Sequence, residues 1–317
     1  MERNLALELV RVTEAAALAS ARWMGKGDGE AADRAARDAI STVLKSVKMS
    51  GRVVIGDTEI EVASAPKGGS KPGDLPDVDI AVDALQSVES LAFGRPHAIA
   101  TIAVANRGAF LSPPVPYMNK IAVGPDAAGR IDIKASALDN LVNIADAKRC
   151  YVEDLTVFIL DRERHRALIN DVRSTGARIA LIPDGDLTAM IATAMPGSGV
   201  DVVMGVGGSA EGVLAAAALK CVGGDMQAQF HPRSDEEREA LRESPWGQRN
   251  QVLRVDDIVR GESIMFAATG ITGSDVLNGV QFVPGGAVTH SIVMRSQSGT
   301  VRRITAHHRF DRKPVYT

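Results

Sequence analysis

Two cysteines in 317 residues exclude a disulfide scaffold. Cys150 and Cys221 have no C-x-x-C spacing, so both are expected as core residues in a reducing, cytoplasmic setting. Aromatic residues make up only 4% of the chain, with no basic and aromatic interleaving of the kind a base-stacking surface uses. The net charge of -3 gives no general attraction to nucleic acid or to an anionic membrane. Any anionic ligand must therefore meet a local cluster of positive groups. No uninterrupted apolar run is long enough to span a bilayer: the N-terminal "MERNLALELVRVTEAAALASARWMG" is broken by Glu2, Arg3, Glu8, Arg11 and Glu14, and reads as an amphipathic helix. G-x-S-x-G, Walker and HExxH segments are absent, which withdraws the usual warrant for serine hydrolases, P-loop enzymes and zincins. His307 and His308 lack the cysteine or acidic spacing of a zinc site. There is no internal repeat and no extended low-complexity segment.

What is present is the composition of a folded domain, 45% hydrophobic and 24% charged, in a chain long enough for one large or two ordinary domains. Helical spacing predicts helices over 5–24 and 28–47, then a short strand in "GRVVIG" and a glycine- and proline-rich mobile segment in "APKGGSKPGDLP". "VDIAV" and "HAIATIAVA" are near-continuously apolar, as strands covered on both faces are. "GAFLSPPVPYMNKIAVG" reads as a meander, and a helix is expected over 136–148. From "LTVFIL" onward strand and helix alternate at βαβ spacing, which predicts a largely parallel sheet. "PRSDEEREALRESPWGQRN" reads as a solvated helix with its turns. "IMFAATGI" and "HSIVMRS" are late strands, and "VRRITAHHRFDRK" is a basic tail. The expected division is an N-terminal α+β domain over 1–150, an α/β domain over 151–288, and a strand with a basic tail over 289–317.

Ligands of open parallel sheets bind beyond the carboxyl ends of the strands. Two loops stand there: "PDGD", carrying Asp184 and Asp186, and "GVGGSAEG", carrying Gly207, Gly208 and Glu211. The second also matches a dinucleotide fingerprint at Gly205, Gly207 and Ala210, with Asp225 beyond, but a lone match deep in the chain is a weak signal. It can equally cradle a phosphate or place Glu211 at a helix start. Arg162 and Arg164 in "ILDRERHRA" follow a strand, where they could bind phosphate or simply pair with Glu163 at the surface. His165 beside them is more simply structural. Asp28, Asp33, Asp57, Glu59 and Asp83 stand at strand ends or turns, where each is a helix cap, a turn acid or, if the fold draws them together, an oxygen ligand for Mg²⁺ or Mn²⁺.

Taken in order, "RVTEAAALAS", "GKGDGEAAD", "VVIG", "DIAVD", "YMNKIAVGP", "IPDGD", "GVGGSAEG", "FAATGIT" and "HHRFDRK" resemble the class II, GlpX-type fructose-1,6-bisphosphatases. The resemblance runs nearly end to end. It implies the layered α/β/α/β/α fold of the lithium-sensitive, metal-dependent sugar phosphatase superfamily, a homodimer or homotetramer, and a small phosphorylated sugar as substrate. By the same resemblance Asp33, Asp57, Asp83 and Glu211 are the metal carboxylates, with Gln86 at a further catalytic position, and Mg²⁺ or Mn²⁺ is the cofactor. Tyr117, Arg162, Arg164, Asp184, Asp186, Gly207 and Gly208 fall on the substrate side. The departures sit at the chemistry. The family's "GEGE" is here "GDTE", so Asp57 replaces a glutamate. Its "DPIEGT" or "DPLEGT" is here "DALQSV", which puts neutral Gln86 in place of an acid and Val88 in place of a threonine hydroxyl. Arg162 stands where the family carries lysine, which alters hydrogen-bond geometry but not charge. Glu89, three residues past Gln86, could supply a replacement acid or face solvent. The implied activity is metal-dependent hydrolysis of a sugar phosphate; the alternative is a sugar-phosphate-binding or regulatory homolog with impaired catalysis.

Overall fold

The computed structural model describes residues 4–56, 76–247 and 251–312. The chain forms two compact units, Met1–Phe110 with Gly261–Thr317, and Leu111–Arg260. The boundaries anticipated at 150 and 288 therefore fall inside units. Strand pairing is the cause: the strand after "SPPVP" hydrogen-bonds into the second sheet, and the last strands return to the first.

The first unit is a seven-stranded sheet in the order β1-β2-β3-β10-β12-β11, with β13 on the other edge of β12. The strands are β1 (Ser50–Gly56), β2 (Asp77–Gln86), β3 (Ile99–Asn106), β10 (Ile264–Gly270), β11 (Gln281–Val283), β12 (Gly286–Arg295) and β13 (Thr300–Arg309). Only β1 and β2 pair in parallel. The expected basic tail is thus mostly β13, whose polar alternation suits an edge strand. Helices α1 (Leu5–Ser20) and α2 (Gly29–Leu44) pack on one another and on this sheet, and the short α3 (Val88–Ala92) follows β2. Leu9, Ile40, Leu44, Ile80, Ile102 and Val104 form their shared core without solvent contact. Each such side chain contributes about 1.5–3 kcal/mol on burial. Asp28 caps α2 by accepting from Ala31 N at 2.9 Å, so the helix-cap reading applies to it. Glu14 is buried rather than solvated: it accepts from Thr289 Oγ1 at 3.2 Å, and Thr289 also bonds His308 Nε2 at 2.7 Å. His308 is accordingly part of a buried polar network.

The second unit is a six-stranded sheet in the order β6-β5-β7-β4-β8-β9: β4 (Tyr117–Val123), β5 (Thr156–Leu160), β6 (Arg178–Ile182), β7 (Val202–Gly208), β8 (Asp225–Phe230) and β9 (Leu253–Arg254). β5 is parallel to β6 and β7, whereas β4 pairs antiparallel with β7 and β8. The sheet is mixed rather than largely parallel, because the meander expected around "YMNKIAVG" gives its last strand to this sheet. Ile121, Val157, Ile159 and Met204 share a core with Leu141 and Ile144 of α4 (Ala137–Lys148) and with Ile169 and Val172 of α5 (Arg166–Ser174). Helices α6 (Asp186–Ala192) and α7 (Ser209–Val222) pack together and on strands of the same sheet. The charged α8 (Asp235–Glu243) buries no residue, as its composition requires, and α9 (Val255–Ile258) closes the unit. Cys221 is buried and Cys150 half-buried, and neither is in a disulfide. Asp225 accepts from Gly129 N through Oδ2 and from Met226 N through Oδ1, each at 2.8 Å, so both carboxylate oxygens are engaged by backbone. No helix among the described residues is long and apolar enough to cross a membrane.

Candidate active site

In the first unit Asp33 lies on α2 and pairs with Arg37 Nη2 at 2.9 Å, one helical turn on. Asp83 stands half-buried near the end of β2, opposite Thr101 of β3. The register then shifts before Gln86, which pairs with Ile99 and is 4% exposed. Ser87 follows in the left-handed region at φ 66°, where a side chain is strained and glycine is favoured. This is the position at which the resembling family carries its glycine. Val88 opens α3 and packs against the core. Glu89 is exposed on α3 and so takes the solvent-facing alternative. Asp57 and Glu59, with the "APKGGSKPGDL" segment, lie outside the described residues.

Among the described residues no group of three or more His, Cys, Asp or Glu side chains gathers to hold a metal. The donor chemistry nonetheless suits a hard cation, since Asp33, Asp83 and Gln86 offer only oxygen. Ser87 Oγ and Thr101 Oγ1, the first adjacent to Gln86 and the second opposite Asp83, are buried with no hydrogen-bond partner among the described residues. Unsatisfied buried hydroxyls are uncommon and mark places that an ion or water completes. These oxygen donors are of the type a hard divalent cation takes, with Gln86 contributing no charge.

In the second unit Lys120 projects from β4 and is only 3% exposed. Its Nζ donates to Asp186 Oδ2 at 2.7 Å and to Gly208 O at 2.8 Å. Asp186 begins α6, and Asp184 Oδ1 accepts from Gly185 N at 2.8 Å. Glu211 lies in the first turn of α7. Burial pushes its carboxyl above the usual range, the negative charge of Asp186 adds to this, and Lys120 opposes it. The glycine pair before α7 is required by close approach. A Cβ at Gly207 would collide with Asp186 Oδ2, and one at Gly208 with Glu211 Oε2. These glycines therefore make room for two acids around Lys120.

Next to this group is a set of cations. Arg164 Nε and Nη2 donate to Val206 O at 3.2 and 2.8 Å, and its guanidinium lies 5.9 Å from the Tyr117 ring centroid. Arg233 lies 4.7 Å from the same centroid. Desolvation lowers the Arg164 pKa, and the charges of Arg162 and Arg233 lower it further. His165 is fixed between strands: Val206 N donates to Nε2 at 2.8 Å, so Nδ1 carries the proton and donates to Leu160 O at 2.7 Å. Burial depresses its pKa, the backbone bond to Leu160 opposes this, and Arg164 adds to the depression. It is a structural, neutral histidine.

The structure thus brings Asp184, Asp186, Gly207, Gly208 and Glu211 into one neighbourhood, with Tyr117 and Arg164 in another on the same unit. Asp33, Asp83 and Gln86 belong to the first unit. Lys120 and Arg233 escaped the sequence reading. A lone lysine inside "YMNKIAVG" was the available signal for the first, while Arg233 sat inconspicuously in a charged run.

The pattern of bacterial, glpX-encoded fructose-1,6-bisphosphatases matches residues 3–308. The chain belongs to that family. It is 41% identical over 329 residues to fructose-1,6-bisphosphatase 1 class 2 of Escherichia coli K12, covering 99% of this chain and 97% of that one. The fructose-1,6-bisphosphatase class 2 of Shigella flexneri shows the same identity and coverage. A solved structure, the extragenic suppressor protein suhB of Bartonella henselae, overlaps 61% of this chain and 74% of its own at 15% identity and a TM-score of 0.35. Membership places the chain among class II sugar-phosphate hydrolases.

Proposed function

We propose that the chain hydrolyses a sugar bisphosphate such as fructose 1,6-bisphosphate, with Mg²⁺ or Mn²⁺ as cofactor. Water adds its oxygen to phosphorus, the ester P–O bond breaks, and the sugar oxygen leaves with a proton. Arg162 and Arg164 hold the phosphate that does not react, through charge-assisted bonds. Asp184 and Asp186 accept from sugar hydroxyls, and Lys120 holds Asp186 in place for this. Gly207 and Gly208 leave the backbone bare for close approach. By the family resemblance Asp33, Asp57, Asp83 and Glu211 are the carboxylates that would hold the metal, with Gln86 offering a neutral oxygen. When bound, the ion supplies charge neutralisation at the phosphoryl group and a lower pKa for water. The observation that carries this reading is the arginine cluster around Tyr117, unpaired with acids among the described residues, beside the acids gathered at Lys120.

A second reading, a sugar-phosphate-binding homolog with impaired catalysis, is favoured by buried, neutral Gln86 and by the ion pair that engages Asp33. Phosphate release from a panel of sugar mono- and bisphosphates, with Mn²⁺ and with chelator, separates the two. Metal-dependent release supports the hydrolase; ligand binding without release supports the binder. A cytoplasmic homodimer or homotetramer completes the proposal, and light scattering on the purified protein checks the assembly.

A further inference from the structure

We infer that Arg233 is a further substrate-binding residue, which with Arg162 and Arg164 grips the second phosphate of a sugar bisphosphate and sets the preference for bisphosphates over monophosphates. The inference rests on the phosphatase reading above and adds a residue to it. Arg233 follows β8 at a point where the chain is held firmly. His231 N donates to Tyr117 O at 2.9 Å, Arg233 N donates to Glu237 Oε2 at 2.6 Å, and Ser234 caps α8 through Glu237 N at 3.2 Å. Glu237 is thereby engaged by the backbone of Arg233.

The guanidinium sits over the Tyr117 ring at 4.7 Å, with Arg164 at 5.9 Å from the same centroid. A guanidinium resting on a ring keeps its N–H edge for a planar acceptor, and two such edges on one ring suit a phosphate. Arg164 has already given Nε and Nη2 to Val206 O, which leaves Nη1 for a ligand. Arg233 makes no comparable side-chain bond among the described residues, so its whole fork is available. None of Arg162, Arg164 and Arg233 forms an ion pair among the described residues, although like charges depress the pKa of both Arg164 and neighbouring His231, after the larger effect of burial. Three cations held together with no ion pair among the described residues are unfavourable until an anion arrives. A substrate with a second phosphate supplies that anion; a monophosphate with only the reacting group does not.

The test compares kcat/KM for fructose 1,6-bisphosphate and fructose 1-phosphate, with Mn²⁺, in the wild type, Arg233→Ala and Arg233→Lys. A lost charge-assisted contact predicts a fall of about 10- to 100-fold in the bisphosphate-to-monophosphate ratio in Arg233→Ala, expressed in KM, with partial recovery in Arg233→Lys. An unchanged ratio, or an equal loss for both substrates, overturns the assignment. If the wild type releases no phosphate, the hydrolase reading fails separately, and calorimetric affinities for the same two sugars decide Arg233. A selective loss of bisphosphate affinity in Arg233→Ala then supports the assignment. Equal affinities in wild type and variant, or no binding of either sugar by the wild type, overturn it.

Discussion

Replacing Lys120 by methionine keeps most of the apolar stem but removes the charge that pairs with Asp186 and opposes the rise in the Glu211 pKa. The Lys120 and Asp186 side chains are 2% and 10% exposed, so the pair is screened little by solvent. Breaking a buried pair by deleting one partner costs about 3–5 kcal/mol, chiefly from the charge left behind. The Gly208 carbonyl also loses its donor. A loss of about 3 kcal/mol is expected near pH 7.5, since Glu211 already titrates high and takes up a proton more readily once Lys120 is gone. The pH dependence has a definite sign. A carboxyl whose folded pKa lies above its unfolded value binds more protons in the native state, so the variant regains stability as pH falls from 7.5 toward about 5. Urea titrations at both pH values, followed by circular dichroism, measure this. Asp186→Asn on the Lys120→Met background should recover a large part of the loss, because it removes the stranded charge. A loss below about 1 kcal/mol at pH 7.5, or one that grows on acidification, would refute the reasoning.

Ser87→Gly should stabilise the protein by about 1 kcal/mol: relief of the left-handed strain is worth about 1–2 kcal/mol, set against a smaller gain in unfolded-state entropy. An unchanged or lower Tm would count against the strain. Gln86→Glu should lower the metal-free Tm, because it places a carboxylate at a 4% exposed position near Asp83, and should enlarge the Tm rise on adding Mn²⁺. Val88→Thr added to it should raise any phosphate-release rate non-additively, since both changes act on one small site; equal Mn²⁺ shifts in wild type and Gln86→Glu would show a site built around other groups. The depressed pKa of His165 predicts falling stability below about pH 6.5, where the unfolded state takes up the proton that the native state resists. His165→Asn should flatten that slope in Tm measurements between pH 7 and 5.

Much of the architecture was legible because local periodicity and burial agree. The N-terminal helices, the strands of "VDIAV" and "ARIALI", and the solvated run before Trp246 carry patterns that hold for one secondary structure only. The Asp186 and Glu211 loops were legible for a related reason, since a glycine-flanked acid beyond a strand has few other uses. The partner sheet of "YMNKIAVG" was not legible, because an apolar strand is equally content between any two neighbours that bury it. Once β4 paired with β7 and β8, the expected domain boundary moved and Lys120 came to face Asp186.

The sequence by itself determined the family and most of the element types, because these depend on residue identity and short-range spacing. Tertiary structure alone decided that Ser87 is strained, that Glu89 faces solvent, that His165 is a neutral clamp, and that Arg233 shares a ring with Arg164. Each of these depends on which distant backbone or side chain lies within a few ångströms. Such proximity is set by chain packing, which local spacing does not encode.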